Sequence, residues 1–341
     1  MLKAIELHSN RTLQFKLVIP DADPVDCELT TSDVLPKGLA TEFPSVHAYS
    51  GVCSDDSQVY IDLVENEPDS LSANVITSSN VHYYIDHAVE GSDSYLIYRY
   101  DHVKRKRPGS HGKHKCATRA NPHSPNATSD KGAGFKRKPL IGKGDKSVKY
   151  SLTLALVANL EYSRAHGNTK QKVLAQLLSL LHRSNGIFRR EVGLEFTLAE
   201  GNGKLICVSG DSECKQHLSN NGDVIDMAES FIRRRGVKWN SFDLGHVLTT
   251  GAGGLAYLGV LCDHSLKAGG TTGMEYPFGD PFTIDYFMHE IGHQLNLHHT
   301  FKDCGGSFSN TQTDEAVEPG SGSTIMGYAG ICGSTDLQAN S

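Results

Sequence analysis

The stretch Gly279-Asp-Pro-Phe-Thr-Ile-Asp-Tyr-Phe-Met-His-Glu-Ile-Gly-His-Gln-Leu-Asn-Leu-His-His299 decides how this 341-residue chain is read. It opens like a helix: Asp280 suits the N-cap, and Pro281 suits the first helical position, where its missing N–H is no loss. Ile284, Met288, Ile291 and Leu295 then fall at i, i+4, i+7 and i+11, one apolar stripe for a core. On such a helix His289 and His293 project from one face and can converge on one ion. Glu290, next to the first histidine, can reach a water at that ion without ligating it. Neutral imidazoles suit zinc, zinc lowers the pKa of its water, and a carboxylate can take the proton.

Two histidines on a helix are often only core or surface groups, so the residues downstream carry the reading. His289 to His299 fit the longer pattern H-E-x-x-H-x-x-G-x-x-H, with Asn296 where the pattern has glycine. That position must leave the helix through a left-handed conformation, which Asn tolerates better than other non-glycine residues. The turn can return His298 or His299 to the metal, and spacing favours His299. Farther on, a Gly/Ser-rich turn leads into Met326, whose soft side chain would floor three imidazoles. Tyr328, two residues on, reads by itself as a packed tyrosine. A competing layout takes the third ligand from Glu315 or Glu318, although Gly, Pro and Ser around them disfavour the helix it needs.

These motifs resemble the metzincin clan, and within it the reprolysin (adamalysin)-like branch. Gly254-Leu-Ala-Tyr-Leu-Gly-Val-Leu-Cys262 is similar to that branch's edge strand, which implies that Gly254, Leu255 and Ala256 pair antiparallel with an extended peptide substrate. An open strand edge can accept such a peptide. Gly279-Asp-Pro-Phe, His299-Thr-Phe, Glu318-Pro-Gly-Ser-Gly-Ser-Thr-Ile-Met and Tyr328-Ala-Gly-Ile-Cys resemble secreted microbial reprolysin-like peptidases. Phe43-Pro-Ser-Val-His-Ala-Tyr-Ser-Gly looks like part of that group's propeptides. The resemblance implies a zinc metalloendopeptidase with one catalytic Zn2+ on His289, His293 and His299, Glu290 as general base and Tyr328 near the metal. Its substrates would be proteins or peptides. In zymogens of this clan a prodomain thiolate can hold the open zinc position, which makes Cys116 a candidate cysteine switch. A catalytically silent zinc-binding or adhesive relative is the alternative, disfavoured by the intact Glu290.

The expected architecture is an α/β (α+β) metzincin-like domain over residues 148–341, with a mixed sheet and an active-site helix. A β-rich, propeptide-like region over residues 1–100 precedes it, with strands expected at Thr12–Ile19, Gln58–Val64, Val81–Ile85 and Tyr95–Tyr98. Residues 101–147 between them are basic and Gly/Pro/Ser-rich, and read as an exposed linker. Activation could involve its runs Lys104–Arg107 and Lys136–Lys138, but each is followed by proline, a poor residue after a scissile bond, so no cleavage point is assigned. Later elements are expected at Tyr150–Asn159 (strand), Lys170–Arg189 (helix), Leu194–Leu198 (strand), Val224–Arg234 (helix) and Leu244–Thr249 (strand).

With 38% hydrophobic and 21% charged residues and a net charge of −6, the composition is that of an ordinary globular protein. No apolar run is long enough for a membrane-spanning helix, and nothing calls for nucleic acid. Eight cysteines and the sequons Asn10-Arg-Thr12 and Asn126-Ala-Thr128 suit a secreted protein. The expected signal peptide would lie outside this chain, and an end fifteen residues after Met326 suggests an incomplete domain. Cys27 with Cys53, Cys207 with Cys214 and Cys304 with Cys332 are plausible pairs, with Cys262 free to join any of them.

Overall fold

The computed structural model describes residues 12–65, 67–88, 94–99, 102, 116–123, 150–217, 223–251, 253–304, 314–338 and 341. The basic runs, the second sequon, Asn10 and most of the expected linker lie outside the described residues.

Two sheets carry the chain. The first is an antiparallel meander of seven strands in sequence order: β1 (Thr12–Leu17), β2 (Val25–Thr31), β3 (Val46–Cys53), β4 (Gln58–Val64), β5 (Glu67–Ile76), β6 (His82–His87) and β7 (Tyr95–Arg99). Alternation decides its two faces. Leu13, Leu29, Val59, Ile61 and Val75 form one cluster, whereas Val46, Ala48 and Val64 join the core around the long helix α3 (Lys170–Val192). A short helix α1 (Lys37–Glu42) adds Leu39 to that core. A disulfide joins Cys27 and Cys53, which stand opposite each other in the β2–β3 ladder.

The second sheet has six strands in the order β10-β9-β11-β13-β12-β8. Here β8 is Cys116–Arg119, β9 Tyr150–Ala158, β10 Leu194–Leu198, β11 Leu244–Thr249, β12 Gly253–Tyr257 and β13 Gly270–Gly273. Strands β10, β9, β11 and β13 run parallel, and β12 reverses against β13. The centre of β9 reads as a continuous apolar run because both faces are covered. Leu154 and Leu156 point to the core shared with α3, while Ala155 and Val157 point to a second core, to which α4 (Ser212–His217) adds Cys214 and which lies under α5 (Val224–Arg234). Helix α2 (Leu160–Ala165) is capped by Asn159, whose side chain accepts from Tyr162 N.

The helix expected from Asp280 begins there but winds differently. Pro281–Met288 form a π-helix, and the α-helix α6 occupies only His289–Gln294. The wider π turn sets residues five apart in line, and Phe282 and Phe287 are both buried. Asp280 makes no cap bond; its carboxylate accepts from Arg183 Nη1 of α3 at 3.2 Å. A buried cation needs a counter-charge more than the helix needs a cap.

That pair belongs to a polar seam where α3 meets the seven-stranded sheet. Arg183 Nη2 donates to both oxygens of Asp86, at 2.6 and 2.8 Å, and its guanidinium lies 4.3 Å from the centre of the Tyr84 ring. The neighbouring His182 is bonded through Nδ1 to Asp62 at 2.8 Å and through Nε2 to Ser32 Oγ at 2.8 Å. Burial pushes the Asp62 carboxyl up, against the pull of His182 and Arg183. Burial likewise raises Asp280 to about 6.

His166 closes α2 and ties it to the segment before the metal helix, donating from Nε2 to the Pro277 carbonyl at 3.1 Å. It lies between Tyr162 and Phe278, and burial pushes it down from 6.5 to about 4. The unfolded chain therefore binds a proton between pH 6.5 and pH 4 that the folded chain refuses, so stability is lost as pH falls through that window. The loss expected from this residue approaches about 3 kcal/mol by pH 4. Urea denaturation at pH 7 and pH 4.5 should show a shallower acid loss in His166→Phe than in the wild type. Equal slopes would contradict it.

Candidate metal centre

Helix α6 presents His289 and His293 one turn apart, and Asn296 then turns the chain with φ 73°. Leu297 N donates to the Gly292 carbonyl at 2.9 Å and Asn296 N to the His293 carbonyl at 2.8 Å, closing the helix end. It is His299, not His298, whose ring returns to the first two. The three Nε2 atoms stand 3.1 Å from one another.

Two ring protons can be placed. His289 Nδ1 donates to the Ile325 carbonyl at 2.6 Å, and His293 Nδ1 to the Leu297 carbonyl at 2.7 Å. Each ring is thereby fixed as the tautomer whose Nε2 offers a lone pair. Burial holds His289 down to about 4 and His299 to about 3, and burial together with the neighbouring His289 and His299 lowers His293 well below its ordinary value. Neutral lone pairs facing one another at 3.1 Å repel unless a cation lies among them.

The fourth corner is Cys116. Its Sγ lies 3.3 Å from His289 Nε2 and 3.4 Å from His293 Nε2 and His299 Nε2. Donors about 2.0–2.3 Å from one zinc in a tetrahedron would stand about 3.3–3.6 Å apart. The observed edges are close to that, and three imidazoles with one thiol are a zinc donor set. Burial, reinforced by the Glu290 carboxylate, raises the Cys116 thiol well above its ordinary value; beside a dication the same thiol would be deprotonated outright.

Glu290 of α6 lies beside Cys116, with its carboxylate against Gly254 of β12. A Cβ on Gly254 would come within 2.0 Å of Glu290 Oε1, so only glycine leaves the carboxylate its place. Burial pushes Glu290 up to about 8, opposed by the adjacent Cys116 thiol. Oε2 is buried with no hydrogen-bond partner among the described residues. A small cavity of about 20 Å³ beside it, lined by Tyr286, Tyr328 and Ala329 among others, has room for about one water.

The turn through Met326 passes beneath the helix. Met326 Sδ would lie 2.5 Å from a Cβ on Gly292, the residue before His293, so helix and turn are in close contact. Thr300 N donates to the Met326 carbonyl at 3.1 Å, tying the segment after His299 to the turn. Tyr328 stacks on Phe301 at 4.2 Å, meets the His299 ring at 4.8 Å, and donates to the Cys116 carbonyl at 3.4 Å. A disulfide between Cys304 and Cys332 braces this layer, and Cys207 is joined to Cys214. Cys262 is free and exposed, so its expected pairing is not found. Glu318 is no ligand: its carboxylate accepts from Ser323 N and Thr324 N, at 2.6 and 3.1 Å. Glu315 has no part in the cluster either.

The strand expected to bind substrate is covered in this chain. Strand β12 is not outermost, because β8 pairs with it, and the pairing is parallel: Gly254 with Cys116, Leu255 with Ala117, Ala256 with Thr118 and Tyr257 with Arg119. One group lies outside the residues that the sequence motifs mark. His246 of β11 is bonded to Gln294 Oε1 through Nδ1 and to Thr272 Oγ1 through Nε2, both at 2.8 Å. Gln294 also donates to the Gly245 carbonyl at 2.9 Å, fixing the end of α6 to the sheet. A histidine within the otherwise apolar Leu244–Thr249 and a glutamine directly after His293 were the available signals.

A mixed sheet, a histidine-bearing helix and a methionine turn beneath it are the arrangement that the metzincin resemblance implies. Residues 174–300, from within α3 to just past His299, match the family model of the M12B reprolysin-like metallopeptidases. Over that stretch the chain is similar to the reprolysin-like metzincins. The chain matches no curated protein.

Proposed function

We propose that the chain is the latent form of a zinc metalloendopeptidase, held off by its own prosegment. The observation that carries this is the Cys116 sulfur completing a four-donor cluster with His289, His293 and His299. Three histidines leave a fourth position for reaction, whereas a thiolate there closes the site to water. Residues 1–100 are then the inhibitory prodomain, residues 101–147 its connection, and the chain is a secreted protein. Its three disulfides are compatible with an oxidising compartment.

Zinc, when bound, supplies Lewis acidity that polarises a carbonyl and eases deprotonation of water. The chain's own residues do the rest. With β8 withdrawn, Gly254, Leu255 and Ala256 offer backbone groups to an extended substrate running antiparallel, opposite to the prosegment. The reversed direction keeps the prosegment from presenting its own peptide bonds as a substrate would. Glu290 takes the proton of the attacking water and returns it to the leaving nitrogen, so that no proton is lost. Tyr328, whose hydroxyl already donates to a carbonyl of β8, donates to the carbonyl oxygen as charge grows on it.

Replacing Cys116 by serine in the full chain tests the reading. The variant should bind one zinc per chain, measured by atomic absorption, and cleave casein at least tenfold faster than the wild type. A variant that binds zinc but stays latent would overturn the role of Cys116. One that binds no zinc would overturn the metal centre.

A further inference from the structure

The prosegment does more than bring a thiol to the metal. Three residues beyond Cys116, Arg119 stands opposite Tyr257 at the end of the β8–β12 ladder. Its Nη1 donates to Asp226 Oδ2 at 2.7 Å, and the other oxygen of Asp226 accepts from the Tyr257 hydroxyl at 2.9 Å. The guanidinium also lies 5.8 Å from the centre of the Tyr257 ring. Asp226 sits in the first turn of α5, away from the metal, with a half-exposed side chain. Among the described residues Arg119 is the only cation paired with it. None of these three groups has a part in the hydrolytic chemistry.

We propose that Asp226 and Tyr257 form a substrate subsite for an arginine or lysine side chain, and that Arg119 occupies it while the chain is latent. This rests on the peptidase reading above. Residues paired across a ladder project to the same face whichever way the strands run. A substrate residue opposite Tyr257 therefore sends its side chain where Arg119 sends its own. In an antiparallel substrate that residue lies three positions on the amino-terminal side of the one opposite Gly254. Because Gly254 is where Glu290 and the Cys116 sulfur meet the edge, the basic residue falls three to four positions upstream of the scissile bond. Asp263, facing His123 at 3.2 Å farther along, is a weaker candidate, since Ser265 N and Leu266 N already satisfy its carboxylate.

Partial exposure limits the effect. A screened ion pair with a ring beside it gives a preference of about three- to tenfold for Arg over Gln at low ionic strength, falling as salt is added. The test uses the full chain, zinc-loaded, carrying Cys116→Ala and Arg119→Ala so that both occupied positions are vacated. A peptide library varied upstream of the cleaved bond should show Arg or Lys favoured there, and Asp226→Asn should remove the preference while neutral peptides turn over as before. Adding Glu290→Ala gives a measurement independent of turnover: fluorescence anisotropy of labelled peptides, Arg against Gln at that position. Tighter binding of the Arg peptide, lost in Asp226→Asn, supports the subsite even if no variant cleaves, in which case the peptidase reading alone fails. Equal affinity for both peptides, or a preference that survives Asp226→Asn, overturns the subsite.

Discussion

In the Cys116→Ser chain, replacing Glu290 by alanine should lower casein hydrolysis by about 100- to 10,000-fold and leave one zinc per chain. The reasoning is geometric before it is electrostatic. Glu290 is not among the four donors that converge, so its loss costs the metal nothing directly. Its carboxylate instead lies against Gly254, between the metal cluster and the lane where a substrate would pair. Burial holds it near pH 8 in the thiol-capped chain, so the folded state disfavours its charge. In the metal-free chain that keeps Cys116, removing it should therefore raise rather than lower thermal stability at neutral pH, because the folded-state pKa lies above the unfolded value. Metal content and hydrolysis measured on one preparation, and melting temperature on the metal-free chain, separate the roles. Zinc retained with hydrolysis unchanged would defeat the peptidase reading; zinc lost would mean that Glu290 holds the metal.

The largest stability effect is expected at Arg183. Its side chain is 5% exposed and faces Asp280, which is 2% exposed, while its other partner, Asp86, is a third exposed. Arg183→Leu leaves a buried carboxylate at the start of the metal-bearing helix without its counter-charge, at a cost of about 3–5 kcal/mol. The deficit should shrink toward pH 5, since Asp280 already titrates near 6 and can then protonate. It should shrink too when Asp280→Asn is added, because the neutral amide needs no cation. Urea denaturation of the single and double variants measures both effects. Equal destabilisation in the two would show that lost packing on Tyr84, not charge, dominates.

How much of this was legible in the sequence depends on distance along the chain. Helix and strand limits in the second half follow from periodicity, and Asn296 marks its left-handed turn because few other residues allow one. The cysteine pairs lie close enough in sequence to be guessed. Strands β2, β3 and β5 escaped because segments such as Val25–Thr31 mix charged and apolar residues and are stabilised by the ladders on both sides. The π winding of Pro281–Met288 escaped because the apolar stripe fits a 3.6-residue repeat and gives no sign that Phe282 and Phe287 line up five apart. Pairings such as Arg183 with Asp86, His182 with Asp62 and His246 with Gln294 join residues 97, 120 and 48 positions apart. No local pattern encodes them, since each partner reads alone as an ordinary polar residue. Cys116 was legible as a thiol near a domain border, but the parallel run of its strand was not.

That strand is tethered, which sets the terms on which it competes. Cys116 is 173 residues from His289 in sequence, yet the same chain supplies both, so the sulfur meets its site as an intramolecular ligand. Tethered ligands act at effective concentrations on the order of millimolar, and a substrate present at micromolar levels would be outnumbered at the groove about a thousandfold. Tighter substrate binding alone would not overcome such a ratio. One cut between residues 123 and 150 turns that contact into one between two chains, still joined by the core that Val46, Ala48 and Val64 share with α3 and by the Arg183–Asp86 pair. Release of the sulfur then depends on how readily that seam opens, and no longer on the length of the tether.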